Sequence, residues 1–286
     1  MQPQIDHVSD TALWVATYRA EETLRPDALF QDPLAAQLAG EKGRQISETV
    51  QRSKYVKWSV IIRTCIIDRL VTEQVAQGVD LVLNLGAGLD TRPYRLKLPP
   101  GLRWVEADFP ALIEEKNRAL AQETPLVQLS RRAVDLSNDT ARAQLLDELQ
   151  ASAKKILVIT EGVVPYLSNE QVAALGKDLA ARDHFRFWVA DYNSPRVLEY
   201  MRKGKRLNQF RNAPFLFNPP EWFSFFLSIG WQSREVKYLV EESKRLGRAI
   251  PMPLIARVFK IFIAKKKFEE MSRYSAYVLL EPAKKS

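Results

Sequence analysis

Apolar positions along the chain follow two different rhythms. In the first eighty residues they recur at helical spacing. Trp58, Ile62, Cys65 and Ile66 share one face of a segment that begins near Ser53 and that Gly78 can terminate. Ser9 or Asp10 can cap an earlier helix through TALWVATYRAEE. From residue 81 onward, short apolar runs alternate with amphipathic stretches. LVLNLG at 81–86, LRWVEAD at 102–108, a weaker run at 126–130, ILVIT at 156–160 and FRFWVAD at 185–191 read as strands. The intervening helices include PALIEEKNRALAQE, with Pro110 suited to its first turn, and QVAALGKDLAARD behind a Ser168/Gln171 capping box. This alternation predicts a doubly wound α/β fold with a mainly parallel sheet and right-handed crossovers. After Asp191 the rhythm breaks. A Pro- and Phe-rich stretch leads to a strand near 231–239, a basic insertion, and a closing strand in YSAYVLLEP. An antiparallel hairpin at the sheet edge is expected, for seven strands in all. The predicted organisation is an N-terminal helical cap over 1–80 packed on an α/β core over 81–286, with a helical lid insertion around 240–272.

Composition narrows the class. The chain has 286 residues, 46% of them apolar, which suits one elaborated domain rather than a disordered chain. It contains no run of eighteen apolar residues, and MQPQIDHVSD has neither a basic nor an apolar signal region, so a cytoplasmic protein is expected. A single cysteine, Cys65, excludes an internal disulfide and a Cys-rich zinc site. The net charge of +8 is concentrated between Arg234 and Arg273, ending in Lys265, Lys266 and Lys267. Within that stretch Leu254, Ile255, Val258, Phe259, Phe262 and Ile263 repeat at helical spacing. An apolar face flanked by cations can close over an active site or rest on an anionic membrane. The lid is the favoured reading, with peripheral membrane contact through 251–268 the other; nucleic acid is not an expected partner.

Candidate chemistry gathers at the end of the first predicted strand. Gly86-Ala87-Gly88 allows a tight turn and the close approach of a ligand. The dinucleotide fingerprint needs a further glycine where Thr91 stands, and no Walker-type Gly-Lys-Ser/Thr follows, so NAD and ATP are disfavoured. Asp108, at the tip of the second strand, is placed to accept hydrogen bonds from ribose hydroxyls; capping the helix at Pro110 is its other reading. Arg63 interrupts the apolar run VIIRTCII and needs an anionic partner, which Asp68 or Glu161 can supply. Neither His7 nor His184 has metal-ligand spacing, and no catalytic Ser/His or Cys/His pairing is apparent.

The run NLGAGLDTRPYRL followed by VEADFP resembles the leucine carboxyl methyltransferase family and its bacterial relatives linked to polyketide O-methylation. The likeness extends to TALWVATYRAEE, DPLAAQLAG, RTCIIDRL, AVDL and ITEGVVPYL, and covers roughly residues 9–170. It implies a Rossmann-like class I methyltransferase that uses S-adenosyl-L-methionine. By that resemblance Gly86, Ala87 and Gly88 lie against the methionine portion of the cofactor, Asp108 holds its ribose, and Asp135 and Leu136 bracket its adenine; starting the helix that contains TARAQLLDELQ is the other reading of Asp135. Arg63 would meet its carboxylate, with Arg19 at the same end. Glu161 would face the sulfonium or the amino group, and Tyr166, with Tyr94, would line the methyl-transfer channel. No metal is needed for such a displacement. The expected activity is O-methylation of a carboxylate or hydroxyl on a small-molecule or carrier-bound, polyketide-like acceptor, with Asp90, Asp191 or Tyr192 as a base for an alcohol. Methylation of a protein C-terminal carboxylate and a non-catalytic cofactor-binding role are the alternatives.

Overall fold

The computed structural model describes residues 8–49, 54–202, 214–251 and 270–284. Three helices come first: α1 (Val8–Thr23), α2 (Ala35–Thr49) and α3 (Lys54–Ala76). The strands are β1 (Leu81–Leu85), β2 (Arg103–Asp108), β3 (Gln128–Ala133), β4 (Ile156–Thr160), β5 (Phe185–Asn193), β6 (Trp231–Tyr238) and β7 (Ser275–Pro282). They form one sheet in the order β3-β2-β1-β4-β5-β7-β6. The first five pair in parallel, and β7 runs antiparallel to both β5 and β6. Strand order therefore reverses between β1 and β4, where a crevice opens beyond the carboxyl ends of the strands.

Alternation along each strand divides the core. Leu81, Leu83 and Leu85 point to one face, against Leu146 of α6 (Asp139–Ser152) and Leu175 of α7 (Asn169–Ala180). Val82, Trp104 and Leu157 point to the other, against Ile62, Ile66, Ile67 and Leu70 of α3. The helical stripe at Trp58, Ile62 and Ile66 is thus a core face, buried in the cluster that this side of the sheet completes. The remaining strand connections carry α4 (Arg92–Arg95), α5 (Pro110–Ala119) and α8 (Pro195–Arg202).

Most local signals act as expected. Ser168 and Gln171 form a reciprocal capping box, Pro110 opens α5, and Gly78 follows α3 with a φ of +91°. Two differ. The first helix starts at Val8, so Ser9 and Asp10 lie within it rather than ahead of it. The third strand lies at 128–133, displaced from the weak apolar run, because an edge strand with exposed faces needs little apolar alternation. Of the basic insertion, residues 252–269, including Lys265, Lys266 and Lys267, lie outside the described residues. Its flanks are a short helix, Leu239–Arg245, and a helical turn from Glu270. Among the described residues no helix is long and apolar enough to cross a membrane.

Candidate active site

One cleft of about 1350 Å³ opens at the strand-order reversal, above the range typical of small-molecule pockets, roughly 300–1,000 Å³. Its floor is built by backbone geometry. Gly86 and Gly88 both take left-handed conformations, with φ of +64° and +50°. A side chain at Gly86 would also collide with Val163 Cγ2, so glycine lets the turn after β1 press against the loop after β4. Asp108 fastens this turn: its Oδ2 accepts from the Gly88 N–H at 2.7 Å, and its Oδ1 accepts from the Phe109 N–H at 2.7 Å. Phe109, not Asp108, is the N-cap of α5, and it has no side-chain cap bond. Asp108 therefore lines the cleft with acceptor positions left for a ligand, since an ionised carboxylate accepts at about four sites.

Asp135 and Leu136 line the same cleft one strand further out. Asp135 does not start α6; Asn138 does, accepting from the Ala141 N–H. The Asp135 carboxylate instead accepts from the N–H and hydroxyl of Ser137, which holds an acceptor at the rim. Arg19 also borders the cleft, but its guanidinium donates to Asp32 Oδ2 at 2.8 Å and to the Leu89 carbonyl at 2.5 Å. It braces α1 against the segment after the glycine turn.

On the opposite wall stands an ionic network. Arg63 Nε comes within 2.8 Å of Glu161 Oε1, without the alignment of a hydrogen bond. Glu161 Oε2 accepts a bond of 2.8 Å from Arg92, and Asp68 takes Arg92 and Arg95 instead of Arg63. Burial raises the pKa of Glu161, but Arg92 and Arg63 outweigh it and hold the carboxyl below its ordinary value. Burial likewise opposes charge on Arg63, yet Tyr277, Glu161 and Asp191 keep it firmly protonated. Asp90 is buried too, and Arg92 pulls its pKa down to about 2, which leaves it a poor base. Asp191 behaves differently. Burial pushes it up to about 6, against the Tyr277 hydrogen bond and the Arg63 charge. Tyr277 donates to Asp191 Oδ1 at 2.7 Å, and the Gly162 N–H donates to Oδ2 at 3.0 Å.

Apolar side chains also line the cleft, with Tyr166 stacked on Phe215 at 5.1 Å between ring centroids. Tyr166 stays protonated, its pKa pushed up to about 12 by burial. Tyr94 lies elsewhere, its hydroxyl accepting from Arg131. The cleft thus joins Arg19, Arg63, Gly86, Ala87, Gly88, Asp108, Asp135, Leu136, Glu161 and Tyr166. Two residues escaped sequence reasoning. Arg92 was hidden inside a short motif, and Tyr277 is brought opposite Asp191 only by the β5–β7 register. An arginine two residues after Asp90 in DTRPYRL was a signal for the first; nothing local marked the second.

The family model for leucine carboxyl methyltransferases matches residues 12–180, which span both the glycine turn and the loop after β4. The chain belongs to the leucine carboxyl methyltransferase family. A relative from Rhodococcus jostii is 37% identical over 273 residues, covering 86% of this chain and 90% of its own. Another, from Streptomyces coelicolor, is 38% identical over 175 residues, covering 58% of this chain and 62% of its own, so the match spans under two thirds of that relative. Both are named provisionally as S-adenosyl-L-methionine-dependent methyltransferases. The fold is shared with a DUF574 family protein from Streptomyces avermitilis (TM-score 0.59, 13% identity, 94% of this chain and 97% of that one). It is also shared with a crystal structure from Thermobifida fusca described provisionally as a methyltransferase (TM-score 0.56, 15% identity, 85% and 89%). The cofactor is S-adenosyl-L-methionine, and the cleft fits it. Asp108 and Asp135 offer acceptors, the glycine turn leaves room, and Arg63 has a buried Nε–H that no described residue aligns with.

Proposed function

We propose that the protein is an S-adenosyl-L-methionine-dependent O-methyltransferase for a small-molecule or carrier-bound acceptor. The observation that carries this reading is that one cleft is lined both by the Gly86–Gly88 turn, Asp108 and Glu161 and by apolar side chains such as Val163, Phe215 and Leu216. The bound cofactor supplies an electrophilic methyl on a sulfonium. The chain's own residues bind, orient and exclude water. Asp108 and Asp135 hold the nucleoside end, and Arg63 takes the carboxylate of the methionyl end. Glu161, kept ionised by Arg92, sets negative charge beside a cation that loses its charge on transfer. Tyr166 closes the wall toward the acceptor. The helical region 1–80 as a cap and 240–272 as a lid belong to the same proposal, as does a cytoplasmic setting.

Calorimetry tests it directly. S-adenosyl-L-methionine and its demethylated product are expected to bind at micromolar affinity, and NAD and ATP not to bind. Equal or tighter binding of NAD removes the reading.

A further inference from the structure

We propose that the methyl acceptor is a neutral hydroxyl, an alcohol or phenol, and that Asp191 takes its proton. This rests on the methyltransferase reading and narrows its acceptor. The first observation is the charge of the cleft wall. Among the described residues lining it, Asp90, Asp108, Asp135, Glu161 and Asp191 are acidic, while only Arg19 and Arg63 are cationic. Arg19 is already bonded to Asp32 and the Leu89 carbonyl. Arg63 is the guanidinium that the cofactor carboxylate needs. No described cation then remains to receive an acceptor carboxylate, and desolvating such an anion beside Glu161 and Asp191 is unfavourable. A neutral hydroxyl enters without that penalty.

The second observation is the placement of Asp191. It lies near the carboxyl end of β5 on the cleft wall, fixed by Tyr277 from β7 and by the Gly162 N–H from the loop after β4. Those bonds leave acceptor capacity on the carboxylate, which accepts at about four sites. The titratable groups around it are Tyr277, Arg63 from α3, Glu161 after β4, and Tyr166. Together with burial they set its pKa at about 6, so it is ionised yet basic enough to take a proton near neutrality. In the step, the hydroxyl proton passes to Asp191 while an oxygen lone pair forms the new O–CH₃ bond. The S–CH₃ bond breaks with its electron pair left on sulfur. The Asp191 proton is then released to solvent. Tyr277 is a positioning residue that holds the carboxylate.

The full chain with labelled S-adenosyl-L-methionine is assayed against paired probes, naphthol with naphthoic acid and decanol with decanoic acid. Binding of each probe is measured on the protein loaded with the demethylated product. The hydroxyl probes are expected to bind more tightly than their acids and to be the ones methylated. kcat/KM is expected to rise with pH through about 6. Asp191→Asn is expected to lower turnover about 100-fold or more, with folding, cofactor affinity and probe affinity kept. Tyr277→Phe removes a bond that favours the ionised carboxylate, so the inflection is expected to move to higher pH. Preference for the acids, no preference within the pairs, no turnover of any probe, or undiminished turnover in Asp191→Asn overturns the proposal. In each of those cases intact cofactor binding leaves the broader reading standing.

Discussion

Arg92 joins more of the candidate site than any ligand-facing residue does. Its side chain is 2% exposed and touches Asp68, Asp90 and Glu161, so one buried guanidinium serves three carboxylates. Arg92→Met would leave them facing one another, and removing one member of such a cluster typically costs about 3–5 kcal/mol. The pH dependence follows from the direction of each shift. Asp90, at about 2, and Glu161, below its ordinary value, are more acidic folded than unfolded. Their stabilisation is complete above an unfolded pKa of about 4 and fades as pH falls toward 2. The loss in Arg92→Met is therefore expected to be largest near neutrality and to shrink in acid, as urea unfolding midpoints at several pH values would show. Asp191 has the opposite sign: its folded pKa is about 6, so its contribution is favourable in acid and is lost as pH rises through that value. Asp108→Ala should act on ligand affinity instead. It removes both the Gly88 anchor and the acceptors proposed for the ribose, each hydrogen bond to a charged group contributing about 1.5–3 kcal/mol. More than tenfold weaker cofactor binding by calorimetry, with an unchanged fold, is the expected result.

At the scale of elements, the site is a meeting of two loops. The turn after β1 and the loop after β4 touch through Gly86 and Val163, and the first is left-handed where it does so. Gly86→Ala is expected to abolish cofactor binding and lower the melting temperature. Adding Val163→Ala removes the collision but not the backbone strain, so only partial recovery is expected in a thermal melt. These two loops were legible in the sequence because apolar strand runs ended on glycine or on an acid. Strands β1, β4 and β5 showed themselves the same way, their buried positions being largely apolar, and β2 did so less fully because RWVEAD carries Glu106 and Asp108 at buried positions. The edge strand β3 was displaced because QLSRRA carries little of that signal. Helix ends were less legible: α5 stops at Ala119, four residues short of the expected end, since nothing in RALAQE marks where tertiary packing lets go.

Across the whole molecule, charge is unevenly shared. The chain carries +8 overall, yet the described cleft wall holds more acids than bases. The described side chains lining the site favour a neutral acceptor even so. That contrast is not legible in the sequence, because local charge in a crevice depends on which residues pair away from it. Arg19 with Asp32, and Arg95 with Asp68, are withdrawn from the ligand by partners 13 and 27 residues distant. The Asp191–Tyr277 contact spans 86 residues and exists only through strand register.

The position of β7 has a consequence for how the molecule is made. It follows β6 in sequence but lies between β5 and β6 in space. While residues 275–282 are still inside the ribosomal tunnel, β6 has no neighbour to pair with, and β5 keeps a bare edge. The emerging chain must therefore hold open a slot flanked by Trp188 and Val189, an edge prone to wrong pairing. Ribosome-bound chains stalled with β7 still sequestered are expected to be cut by protease around residues 185–193 and 231–238. Chains stalled with β7 free should resist, and pulsed proteolysis of the two lengths distinguishes them. Synthesis thus withholds both the sheet and the Asp191–Tyr277 pair until the same final strand slides into place.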